Sequence, residues 1–149
     1  MAKVLVVYHS QGGNTKKMAE AIADGARSLA GAEVELKPGL EATVDDFLSC
    51  DGIALGSPDY FSYIAGGLKD FFDRTYYPTQ GKVTGKPYLA FGSAGGPAST
   101  VLGIIERIAA AFKLERAAAP VGSAGKPTAE VLDECRAAGQ KLAQAASRR

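Results

Sequence analysis

Three short segments hold residue types from which a site for an anionic, planar ligand can be built. The first is His9-Ser10-Gln11-Gly12-Gly13-Asn14-Thr15. Two hydroxyls, two glycines and two amides stand there just before a helical apolar stripe. Unpaired N–H groups at a helix start, with the helix dipole, attract anions. The segment carries no Lys or Arg, so neutral donors would hold the anion. It fits neither G-x-x-x-x-G-K-[ST] nor G-x-G-x-x-G. Gly81 to Lys86 has the wrong spacing for the former, and Gly125-Lys126 is followed by Pro127. The bland alternative is an empty turn in which Asn and Gly supply positive φ.

The second segment is Gly56-Ser57-Pro58-Asp59-Tyr60-Phe61-Ser62-Tyr63. Aromatic residues crowded into a loop are costly to expose without a use. They offer a face to a planar ring, where stacking adds about 0.5–1.5 kcal/mol beyond burial. At least one of Phe61 and a neighbouring tyrosine is expected to pack beneath the following helix instead. The third is Gly92-Ser93-Ala94-Gly95-Gly96-Pro97, where glycines let backbone approach a ligand edge. Alone it says little; with the other two it indicates a phosphate at one loop and a planar group between the others.

The elements that must position these loops are legible in the periodicity. Val4–Tyr8, Gly52–Gly56 and Tyr88–Gly92 are short apolar runs of the kind buried on both faces of a parallel sheet. Glu33–Leu36 alternates and suits a sheet edge, and a last short strand is expected near Leu114–Ala119. Between them run helical stripes: Met18, Ile22, Ala26 and Leu29; Ile64, Leu68, Phe71, Phe72 and Thr75; Val101, Ile105, Ile108 and Phe112; Val131, Cys135, Ala138 and Leu142. Thr43 is placed to cap a short helix ending at Cys50. Strand and helix alternate throughout, as in an α/β sheet wound with helices on both faces. Five strands fit the doubly wound parallel order 2-1-3-4-5. In such a sheet ligands bind beyond the carboxyl ends of the strands, where all three segments fall. Ser93-Ala94-Gly95-Gly96-Pro97 is echoed by Ser123-Ala124-Gly125-Lys126-Pro127; each copy suits a strand-to-helix turn with Pro in the first helical turn.

Composition narrows the rest. The 149 residues read as one domain spanning 1–149, with a formal charge of +1. There is no basic footprint for nucleic acid and no apolar run to span a membrane. Glycine and proline, 18 and 7 of the residues, exceed the roughly 12% of an average protein. Cys50 and Cys135 lie in apolar stripes and read as buried, inert thiols, and with no leader ahead of the first strand the expected compartment is the cytoplasm. His9, the single histidine, is read as a loop residue rather than an acid–base catalyst.

The first two segments, with Leu68-Lys69-Asp70-Phe71-Phe72-Asp73-Arg74 in the helix after the second, resemble the flavodoxin family. The second segment and its helix are most similar to the branch of NAD(P)H-dependent FMN reductases and WrbA-type quinone reductases. The resemblance implies non-covalent FMN. Ser10, Gln11, Gly12, Gly13, Asn14 and Thr15 would surround the ribityl phosphate. Pro58, Asp59, Tyr60 and Phe61 would border the isoalloxazine, and Ser93, Ala94, Gly95 and Gly96 would meet its pyrimidine edge. Electron-carrier flavodoxins are usually strongly acidic and often set a Tyr over the ring from the third loop; this chain is near neutral and that loop has no aromatic. One ring face would then be open, or covered by a second subunit in a homodimer. The implied function is electron transfer through FMN to a redox partner protein. The alternative is an enzyme taking hydride from NAD(P)H and passing electrons to a quinone or free flavin.

Overall fold

A computed structural model describes residues 2–149. Its first strand, β1 (Lys3–Tyr8), buries four consecutive aliphatic residues, Val4 to Val7. Such a run is stable only where both faces of a sheet are covered. β1 lies parallel between β2 (Glu33–Pro38) and β3 (Gly52–Tyr60), and β3 lies parallel to β5 (Pro87–Ala94). β2 pairs only with β1, which makes it the sheet edge expected from its alternation.

The expected fifth strand takes a different form. Two short strands, β6 (Glu115–Arg116) and β7 (Val121–Ala124), both pair in parallel with β5. Ala117 to Pro120 part them; Pro120 brings no N–H to a ladder, so the pairing expected over Leu114–Ala119 is interrupted and resumes later. The order is therefore β2-β1-β3-β5-β6, with β7 also on β5. A further two-residue strand, β4 (Tyr63–Ile64), folds back antiparallel on the end of β3. Ile64 thus belongs to a hairpin rather than to the helical stripe that follows it.

Alternation along each strand feeds two cores. Leu5, Val7, Ile53 and Leu55 point to one face and pack under α2 (Val44–Ser49), α3 (Gly66–Thr79) and α4 (Ser99–Ala111). Val4, Val6, Ala54, Leu89 and Phe91 point to the other, under α1 (Asn14–Arg27) and α5 (Ala129–Ser147). α1 and α5 approach closely because Gly25 lies against the Arg136 carbonyl, where a Cβ would overlap it. The two cysteines divide between these cores, Cys50 on the first face and Cys135 on the second, and burial pushes their thiols up to about 11 and about 12.

The sheet's far edge and α2 are closed off by polar pairs. Thr43 Oγ1 accepts from Asp46 N, while Asp46 Oδ2 accepts from Thr43 N, a reciprocal cap on α2. Lys86, buried, donates its ammonium protons to the Phe47, Leu48 and Cys50 carbonyls at the other end of that helix, at 2.7–2.9 Å. Arg74 bonds Asp70 and donates to the Gly39 and Ala42 carbonyls, so the charged end of the Leu68–Arg74 motif anchors the β2–α2 loop. No helix of the described residues is long and apolar enough to cross a membrane.

Candidate functional site

The chain leaves β1 at Tyr8 and enters α1 at Asn14 through a turn that ends on Gly13. Gly13 has φ 100°, a left-handed conformation that glycine adopts without a Cβ penalty. It stands at the N-cap of α1, so no side chain caps the helix, and the first turn holds no acidic residue. The turn is steadied from within: Ser10 Oγ accepts from Gly13 N at 3.1 Å. The N–H groups that begin any helix without partners are therefore left to whatever lies above them.

The second segment forms a hairpin. β3 runs on to Tyr60, Phe61 and Ser62 take φ 58° and 59°, and β4 returns. Two left-handed residues make the turn that matches the twist of paired strands, although it normally prefers Asn and Gly. Asp59 Oδ1 accepts from Ser62 N at 2.8 Å and holds it. Ser57, fully buried, fastens the base by donating to the Pro58 carbonyl and accepting from Ala65 N. The expected packing of Phe61 or a neighbouring tyrosine beneath α3 is not what the hairpin does. Phe61 is fully exposed at the tip of the two-residue turn, and Tyr63, the first residue of β4, is exposed beside it. Tyr60 instead meets the His9 ring edge-on, 5.9 Å between centroids. His9 is packed against Gly67 and donates its backbone N–H to the Gly56 carbonyl.

The third segment ends β5. Ser93 stands in register with Pro58 of β3 on one side and Ser123 of β7 on the other. The sequence echo is thus two copies lying side by side on neighbouring strands, with Ala94 opposite Ala124 and Gly125 N donating to the Ala94 carbonyl. Pro97 and Pro127 sit one residue ahead of the N-caps Ala98 and Thr128, outside the first helical turn where the pattern had put them. Beneath these loops Thr15 Oγ1 and Ser93 Oγ are 2.9 Å apart and buried, joining segments far apart in sequence.

A cavity of about 250 Å³ opens where the three loops converge. Ser10, Gln11, Gly12, Asn14 and Thr15 line it from the first loop, Pro58, Asp59 and Tyr60 from the second, and Ser93, Ala94 and Gly95 from the third. Gly13, Phe61 and Gly96 do not line it. Gly125 does, from a fourth loop that sequence reasoning passed over as mere loop grammar; the echo of Ser93–Pro97 was the signal for it. His9 lies outside the wall. No cluster of His, Cys, Asp or Glu able to hold a metal ion occurs among the described residues.

The family model of the flavodoxin domain matches residues 5–94, from within β1 to the end of β5, with the first two predicted loops and the start of the third. The chain belongs to the flavodoxin family. A flavodoxin of Aquifex aeolicus is 39% identical over 97% of this chain and 86% of its own length. A flavodoxin from the domain Archaea, a solved structure, superposes with a TM-score of 0.86 at 29% identity, over 97% of this chain and 99% of that one. An NAD(P)H dehydrogenase (quinone) of Sinorhizobium fredii is 38% identical over 70% of this chain, which spans 65% of that protein. A WrbA-like flavodoxin structure from Agrobacterium tumefaciens shares the fold, with a TM-score of 0.81 at 21% identity.

Proposed function

We propose that this flavodoxin-family chain binds FMN non-covalently and transfers electrons through it. The observation that carries the reading is the cavity itself: an uncapped helix start, buried hydroxyls and a tyrosine face converge on one opening. These residues fit the group. A phosphate needs several donors without a fixed counter-charge, and Ser10, Asn14, Thr15 and the first N–H groups of α1 offer them. A Cβ on Gly12 or Gly95 would meet nothing within 4 Å, so both leave open space for a ligand. Pro58, Asp59 and Tyr60 then border the isoalloxazine, and Ala94 and Gly95 approach its pyrimidine edge through their backbone. Gly13 supports the phosphate loop by its backbone conformation, while Gly96 and Phe61 do not line the cavity.

Bound FMN supplies redox chemistry that no side chain here can supply. The protein's part is to bind and orient the ring, with Tyr60 set against His9 in an edge-to-face contact. Phe61, exposed beside the opening, offers an apolar contact to a redox partner protein or to a second copy of the chain. The cytoplasm is the compartment that suits two thiols lying in separate cores.

The second reading is an NAD(P)H-dependent FMN or quinone reductase, favoured by the likeness to the quinone dehydrogenase of Sinorhizobium fredii. The match to the Aquifex flavodoxin extends over more of both chains, and this supports the carrier. Stopped-flow mixing of the FMN-loaded protein with NADH and NADPH separates the two. Slow or no bleaching of the flavin is the result expected of a carrier; rapid bleaching by either nucleotide replaces it with the reductase.

A further inference from the structure

Four hydroxyls are buried near the carboxyl ends of the strands, on Thr15, Ser57, Ser93 and Ser123. Two of them spend their protons on backbone: Ser57 donates to the Pro58 carbonyl and Ser123 to the Gly125 carbonyl, at 2.7 and 2.8 Å. Thr15 and Ser93 are bonded only to each other among the described residues, and they are 1% and 4% exposed. Two hydroxyls bring two protons, and their mutual bond uses one. The other has no acceptor among the described residues, and both residues line the cavity. A buried hydroxyl proton without an acceptor costs free energy comparable to a lost hydrogen bond. A ligand that fills the cavity can bring that acceptor.

The direction of the pair follows from its surroundings. Thr15 is the second residue of α1, among the N–H groups that converge on an anion, whereas Ser93 reaches it from the end of β5. Resting on the FMN reading above, we infer that Ser93 is a positioning residue for the phosphate. Its hydroxyl donates to Thr15 Oγ1 and so turns the Thr15 proton toward a phosphate oxygen. Polarisation along such a chain strengthens the terminal bond, and fixing the rotor removes freedom that Thr15 would otherwise lose on binding. The Ser93 hydroxyl thereby serves the opposite end of the ligand from the pyrimidine edge that the family resemblance gave it.

Titrating apoprotein with FMN and with riboflavin, which lacks the phosphate, tests this. Ser93→Ala is expected to weaken FMN about 3- to 10-fold and Thr15→Ala about 10-fold or more, with riboflavin affinity unchanged within about twofold. Because Ser93 acts through Thr15, the double variant should bind FMN no more weakly than Thr15→Ala alone. Equal losses of FMN and riboflavin in Ser93→Ala overturn the inference, as a pyrimidine-edge contact or a merely structural role predicts. Full additivity of the two substitutions overturns it as well. A wild-type chain that does not prefer FMN to riboflavin overturns both the inference and the FMN reading on which it rests.

Discussion

The starts of α1 and α2 differ in what they leave unfinished. At α2 the cap and the far end are completed inside the chain: Thr43 and Asp46 cap each other, Lys37 bonds Asp46, and Lys86 closes the carbonyls at the far end. At α1 the cap position is a left-handed glycine, no acid offsets the dipole, and a buried hydroxyl pair holds a proton over. Native chains satisfy buried polar groups. A place where the same chain withholds those partners, beside a cavity, is therefore where a ligand is expected to complete them. α2 is built for stability and α1 for binding.

Substitutions at the two helices should separate stability from binding. Lys86→Met leaves three helix-end carbonyls without their donor, and is expected to cost about 2–4 kcal/mol of stability in urea unfolding while FMN affinity stays within about twofold. A comparable loss of affinity would show that α2 and the start of α1 are not independent. Gly13→Asp should do the reverse. It sets a carboxylate against the bound phosphate, and titration should show FMN weakened about 100-fold or more by charge repulsion, while the left-handed turn costs the L-residue only about 1–2 kcal/mol of stability. Unchanged affinity there would break the comparison outright.

Smaller effects sharpen it. Burial works to raise the Asp46 carboxyl, but hydrogen bonds from Lys37 and Thr43 outweigh it and hold the group below the usual carboxylate range. A carboxyl with a depressed folded-state pKa adds stability above its unfolded value and loses it as pH falls through the folded one. Asp46→Asn is thus expected to unfold more easily at neutral pH by about 1 kcal/mol or less, and the gap should close below about pH 4. A gap that persists in acid would mean that the carboxylate charge is not what caps α2.

Much of this contrast was legible in the sequence, and the reasons are local. Thr43 with Asp46 three residues on is a capping pattern, and the glycines and hydroxyls of Ser10–Thr15 mark a different kind of helix start. Three strands were readable because apolar runs such as Val4–Tyr8 can be satisfied only inside a parallel sheet, and β2 was readable from its alternation. The fifth was not, since Ala117 to Pro120 carry neither periodicity nor a ladder donor at Pro120, and pairing with β5 alone decides where β6 and β7 form. The outward course of Phe61 was hidden for a related reason. Its exposure follows from a hairpin turn written in Phe and Ser, residues that do not announce one. Gly125 was obscured because its place beside the cavity arises from strand register, which no single segment encodes.

The central claim is that the cavity over α1 holds FMN by its phosphate. Titration of the apoprotein with FMN, followed by visible absorbance and flavin fluorescence and repeated with riboflavin, addresses it directly. One equivalent of FMN bound per chain, with riboflavin bound more weakly, is the expected result; no binding of added FMN, or equal binding of the two flavins, contradicts it.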